Sequence, residues 1–510
     1  MDSMVYYIRY IVSHIILNKK EKNEMTLQLE NLKPQEVFKY FSDISQIPRG
    51  SGNEKQISDY LTSEGKRLGL EVVQDEFFNV LIKKPATKGY ENSPTVIIQG
   101  HMDMVCEKNK ETEHDFEKDP IKLRVEGDFL YATDTTLGAD NGIAVAMGLA
   151  ILASTDIAHP ALEVIFTADE EESMNGAMNL NGDLFKGTYI INIDSEEEGT
   201  ITVSCAGGVT ALVTVQKEFK DINSKVALTI DVKGLLGGHS GMEINKQRAN
   251  SNILMGRILN HLLNHAEINF DLVEISGGAK NNAIPREAEA VILVDEKDTE
   301  KLSKELDNIL NIFKNEFKTS DPNIEVLCKK SHKTYNKALT DIVRDKIIAI
   351  IMLMPAGIQT MSMDIEGLVE SSTNLGVINN NQDDFVFEFA TRSSVKSLKD
   401  VINSKMTLLC KTLGVKLELE DDYPEWEYAK NSKLEEICVN TYEETTGKKP
   451  HITAIHAGLE CGLLLDAIKG AQAVSIGPNL FDVHTPNEHL DIKSTERTWD
   501  YLLAILKNIK

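Results

Sequence analysis

The chain has no CxxC pair, no low-complexity tract and no clear short repeat, and it is short of basic residues, with 54 Lys and Arg against 79 Asp and Glu. The resulting formal charge of −25 argues against nucleic acid or an anionic membrane as its main partner. Its six cysteines (Cys106, Cys205, Cys328, Cys410, Cys438, Cys461) are scattered. That pattern fits free thiols in a reducing compartment, hence a cytoplasmic location, better than a disulfide framework. Long apolar runs are also missing. The stretch Val5 to Leu17 carries Arg9 and His14, is shorter than a membrane span and lacks a small-residue cleavage site. Residues 1–24 therefore read as a disordered or mis-started extension, because MTLQLENLKPQEVFKYF from Met25 reads like a natural beginning.

What is present fits a soluble globular enzyme. A chain of 510 residues exceeds what one core organises, so two or more domains are expected. From Pro34 to Leu70, apolar residues recur at helical spacing. Short β-branched runs then alternate with the helical segment NGIAVAMGLAILAS, which indicates an α/β layered domain with a mostly parallel sheet. After ITVSCAGG the strands alternate apolar and polar residues and pair with amphipathic helices, as in an antiparallel α+β domain. The expected division is 25–206 with 423–510 for the first domain and 207–422 for an insertion within it.

Several apolar segments finish in groups that can bind a metal. TVIIQG runs into His101 and Asp103, ALEVIFTAD into Asp169-Glu170-Glu171-Glu172, YIINID into Asp194, and AVSIG, after a loop, reaches His484. Asp140 lies in a Gly-bounded turn before a helix and, taken alone, reads as a helix cap. In open α/β sheets ligands gather at the carboxyl ends of strands, so these groups can converge. Residues i and i+2 of an extended chain face the same side, which puts Asp103 beside His101. A mixed set of imidazoles and carboxylates suits two divalent ions, zinc first, with Mn²⁺ or Co²⁺ as substitutes. The acidic run leaves two frames open. Either Glu170 is a general base with Glu171 a ligand, or Glu171 is the base with Glu172 the ligand.

In order along the chain, GHMDMV, LGADNGIAVA, TADEEESMNGA, INIDSEEEG, GGHSGMEI, NNAIPREAEA and VHTPNEHLDI resemble the M20 metallopeptidases. The segment HAGLECG (His456 to Gly462) points to their aminoacyl-histidine dipeptidase branch. The resemblance implies a hydrolase-like di-zinc catalytic α/β domain of the phosphorylase/hydrolase type with an inserted α+β lid domain. It implies His101 and Asp194 as ligands of one zinc, Glu171 and His484 as ligands of the other, and Asp140 as the bridge, followed by a strained peptide bond. Asp103 is implied to orient His101, and the family spacing to Gly176-Ala177 favours Glu170 as the general base. For the lid, the resemblance implies His239 as oxyanion donor, Arg392 as partner of the substrate carboxylate and Asn282 as a substrate contact. Gly458 and Glu460 are expected to line the pocket, with Glu460 facing the substrate amine by charge complementarity.

The activity so implied is hydrolysis of unblocked dipeptides, Xaa-His included, with small peptides as the partners. A tripeptidase or an N-acyl-amino-acid deacylase is the alternative within hydrolases. A silent binding protein would have lost a ligand or the base, and none of the expected positions is missing. The sequence leaves open whether the lid pairs with a second copy as a homodimer or is satisfied within one chain.

Overall fold

A computed structural model describes Leu29 and residues 31–510; the extension expected over 1–24 lies outside the described residues. Among the described residues no helix is long and apolar enough to cross a membrane. The chain divides into two units. One takes the described part of Met1–Val203 with Ala429–Thr453 and Leu463–Lys510, the other Ser204–Tyr428 with Ala454–Gly462. The division differs from the expected one around Gly458 and Glu460, which fall in the second unit. Backbone pairing explains this: the Ala206 N–H donates to the carbonyls of Ile455 and Ala457, and Cys205 bridges to Trp426.

The first unit is built on an eight-stranded sheet. Its order is Glu71–Gln74, Val80–Lys84, Leu162–Thr167, Val96–His101, Tyr189–Asn192, Gln472–Ser475, Thr200–Cys205, His451–Ile455. The central run from Leu162–Thr167 to Gln472–Ser475 is parallel, and Val80–Lys84 joins it antiparallel. Val96–His101 and Leu162–Thr167 are buried at every position, as strands covered on both faces must be. That is why these segments read as continuous apolar runs and do not alternate. The helix Ala139–Ala153 packs on Val96–His101 and on the helix Gln35–Ile44. It is apolar on nearly all sides because both neighbours enclose it.

The second unit holds a nine-stranded antiparallel sheet that includes Gly207–Gln216, Val369–Asn380, Asp384–Ser393 and Lys416–Tyr423. Phe385, Phe387 and Phe389 point alternately inward along Asp384–Ser393 and are fully buried. They pack in one core with Leu254, Ile347 and Met406 from the helices Ser251–Asn264, Asp341–Leu353 and Lys396–Leu413. Each such phenylalanine contributes about 1.5–3 kcal/mol of burial. The alternation fixes register, since a slip of one residue would turn all three rings outward. A separate two-stranded ribbon pairs Gly238–His239 with Ala283–Ile284.

Candidate metal centre

The parallel strands deliver their chemistry to a common edge. Val96–His101 ends in His101, Leu162–Thr167 runs into the acidic turn at 169–172, and Tyr189–Asn192 is followed by Asp194. Gln472–Ser475 leads through a loop to His484, which holds a left-handed backbone. Asp140 enters at the start of the helix Ala139–Ala153, where the backbone departs from helical angles and the Asp140–Asn141 peptide is cis.

Asp140 stands between two imidazoles. Its Oδ1 lies 3.2 Å from His101 Nε2 and its Oδ2 3.1 Å from His484 Nε2. Asp194 Oδ1 is 3.5 Å from the same nitrogen of His101, and Glu171 Oε2 is 3.0 Å from that of His484. Three groups able to hold a cation result: His101–Asp140–Asp194 and Asp140–Glu171–His484, which share Asp140, and His101–Glu170–Glu171. Glu170 Oε2 approaches His101 Nε2 only to 3.9 Å, farther than Asp140 Oδ1 at 3.2 Å or Asp194 Oδ1 at 3.5 Å. Glu172 is exposed and belongs to none of them.

This cluster is made to hold positive charge. Burial raises Asp194 to about 6 despite His101, with Asp140 and Glu171 adding repulsion. Burial acts on Asp140 in the same direction, yet His101 and His484 together hold it well below the usual carboxylate range. Hydrogen bonds to Asp140 and then Glu171 push His484 up to about 11. Burial opposes protonation of His101, but Asp103, Asp140 and Asp194 keep it well above the imidazole range. Glu171 Oε1 is buried with no hydrogen-bond partner. A spare carboxylate oxygen, crowded acids and facing imidazoles fit two divalent cations in donor type and spacing.

Three supporting residues escaped the sequence reading. Asp103, fully buried, lies 3.3 Å from His101 Nδ1 and also accepts from the Ser51 hydroxyl and the backbone N–H groups of Glu170 and Glu171. Ser51 is thus part of the site. Glu488 accepts from the backbone N–H groups of Leu137, Gly138, Ala139 and Asp140, fastening the Asp140 turn to the His484 loop. Buried Arg49 donates to the carbonyls of Met102, Asp103 and Gly138. Glu488 was visible in VHTPNEHLDI, where only its histidine drew notice.

The other expected residues lie in the second unit. His239 Nδ1 accepts from the backbone N–H groups of Gly241 and Met242, at 3.1 and 3.0 Å. Both contacts need an unprotonated Nδ1, which puts the ring hydrogen on Nε2. Burial, then the charge of Arg392, keeps His239 below the usual imidazole range. It is therefore a neutral ring with one free donor. Asn282 is exposed beside it, its carbonyl accepting from Ser240 N–H. Arg392 Nη1 donates to Tyr423 Oη at 2.8 Å. Gly458 is half-buried, whereas Glu460 begins the helix Glu460–Ala467 and is fully enclosed.

The model of Peptidase family M20/M25/M40 matches residues 97–508. The chain belongs to the M20 peptidases. It is 38% identical over 485 residues to the cytosol non-specific dipeptidase of Escherichia coli (strain K12), covering 94% of this chain and 99% of that one. The solved aminoacylhistidine dipeptidase of Vibrio alginolyticus superposes with a TM-score of 0.89 at 35% identity, covering 94% of this chain and 98% of that one. The aminopeptidase PepT of Bacillus cereus shares the fold alone, with a TM-score of 0.55 at 16% identity over 94% of this chain and 99% of that one. As an M20 peptidase the chain is a hydrolase of peptide bonds, with a paired set of metal-capable residues at the sheet edge.

Proposed function

We propose that this M20 peptidase is a cytoplasmic, metal-dependent dipeptidase that cleaves unblocked dipeptides, Xaa-His among them. The observation that carries the reading is Asp140 shared between His101 and His484, with Asp194 and Glu171 completing the two groups. Relatives with dipeptidase names, matched over almost their whole length, support the substrate class.

His101, Asp140 and Asp194 would hold one ion and Asp140, Glu171 and His484 the other, zinc being the metal best suited and Co²⁺ or Mn²⁺ able to replace it. Bound divalent ions supply Lewis acidity toward the scissile carbonyl and acidify water. Asp103 fixes the His101 tautomer. Glu170, 3.9 Å from His101 Nε2, takes the proton of the attacking water and returns it to the leaving amine. His239, with its hydrogen on Nε2, serves as the oxyanion donor. Arg392 receives the substrate carboxylate, with Asn282 and Gly458 as further substrate contacts. Glu460 stays in this reading as the residue facing the substrate amine. Residues 207–422 serve as the inserted lid domain.

The test is hydrolysis of β-Ala-His, Gly-His and an N-acetylated amino acid by metal-stripped protein with Zn²⁺ added back, beside Glu170→Ala. Zinc-restored cleavage of the unblocked dipeptides alone, abolished by the substitution, is the expected result. Cleavage of the acetylated compound instead would overturn it in favour of a deacylase.

A further inference from the structure

Arg392 does not stand alone on its sheet. In the antiparallel register it lies directly opposite Ser372 on one side and Gly208 on the other. Directly opposed residues share a face, with Cβ atoms about 5 Å apart. On the glycine side the Tyr423 hydroxyl occupies the room a side chain would take, since a Cβ at Gly208 would come within 2.4 Å of it, and that hydroxyl accepts from Arg392. On the serine side, Ser372 Oγ lies 2.7 Å from His456 Nε2.

His456 is 6% exposed, and its other nitrogen, Nδ1, is buried without a hydrogen-bond partner. Leaving a buried polar nitrogen unpaired is unfavourable, so a group of this kind marks a place for a ligand. Its neighbours say which kind. Arg392 and His239 are the charged or titratable groups that act on His456 electrostatically, and both are donors. Where the Ser372 hydroxyl donates to Nε2, the ring hydrogen resides on Nδ1. The guanidinium of Arg392 and the imidazole held by Ser372, its partner on the rung, suit one acceptor-only, anionic group.

We propose that His456, oriented through Ser372, is a second donor to the carboxylate that Arg392 receives, and so a determinant of selectivity for substrates with a free C-terminus. This inference rests on the reading of Arg392 given above. It gives the histidine of HAGLECG a task separate from the metals.

The test uses full-length, zinc-loaded protein and competitive inhibition by free histidine and by histidinamide, which differ in the carboxylate. His456→Ala should raise Ki for histidine by about ten-fold or more, the scale of a lost hydrogen bond to a charge, while changing Ki for histidinamide less than about two-fold. Ser372→Ala, which removes only the orienting hydroxyl, should show the same selective loss in smaller measure. His456→Asn, which keeps a donor, should recover part of it. Equal changes for both inhibitors, or none, in all three variants would overturn the proposal and leave His456 as packing. Arg392→Ala separates the two ideas. If it is selective while the His456 variants are not, only the present inference fails. If His456→Ala is selective and Arg392→Ala is not, the histidine keeps its task and the reading of Arg392 falls.

Discussion

Asp103 stands 3.3 Å behind the His101 ring and holds, with the same two oxygens, the backbone of Glu170 and Glu171. One carboxylate therefore sets both the direction of a ligand and the position of the acidic turn. Replacing it by Asn turns one acceptor into a donor that faces a backbone N–H. Asp103→Asn should weaken metal binding by about 10–100-fold, read by competition with a chromogenic chelator. Unchanged affinity would mean that His101 is oriented by its strand alone.

Glu488 poses a different question, because it touches the Asp140 turn and its substitution leaves backbone donors stranded. Each buried N–H left unpaired costs about 1–3 kcal/mol. Glu488→Ala should lower Tm by several degrees and reduce metal content at limiting Zn²⁺, and Glu488→Gln should do less of both. A Tm loss with full metal content would show that the turn keeps its shape without the clamp.

The turn after His239 tolerates only glycine. A Cβ at Gly241 would come within 2.3 Å of the His456 carbonyl oxygen and crowd the His239 ring. Gly241→Ala should therefore cut kcat by about 10²-fold, the range for a lost oxyanion donor, while metal content stays full. Wild-type kcat in this variant would remove His239 from the mechanism.

Acid should reveal His456 in the stability of the fold. Burial first, then Arg392 and His239, depress its pKa to about 3, so the unfolded chain binds a proton near pH 6.5 that the folded chain refuses. Stability present above pH 6.5 is lost as pH falls toward 3, by up to about 1.4 kcal/mol per unit for one group. His456→Asn should flatten the dependence of Tm on pH between 6.5 and 5 relative to wild type. Parallel curves would place the proton elsewhere.

Metal removal should be felt by the fold as well as by catalysis. An ion bound only by the native state stabilises it by about 4 kcal/mol at a thousand times its Kd. Chelator-treated protein should melt at lower temperature and recover with Zn²⁺. A melting point indifferent to zinc would argue that the acidic cluster holds no ion.

The sequence made legible what is local. His101 and Asp103 are two residues apart at a strand's end, Glu170 and Glu171 adjacent on a turn, and Asp140 at the start of a helix. Periodicity and turn chemistry act over such distances, and the ordered motifs joined them. What stayed hidden acts across the chain. Glu488 reaches a turn some 350 positions earlier, Ser51 meets Asp103 across 52, and Ser372 meets His456 across 84. Nothing in a single sequence specifies such pairs, because tertiary packing alone brings them together. The burial of Glu460 was likewise not readable from composition.

The strand order also dictates a sequence of events during synthesis. His101, Asp140, Glu171 and Asp194 all leave the ribosome early, whereas His484 and Glu488 follow only after the whole second unit has been translated. Until then the nascent chain carries three crowded acids with one imidazole between them, and no clamp on the Asp140 turn. The Asp140–Glu171–His484 group can therefore be completed only as translation ends, and a chain terminated before His484 lacks one member of it.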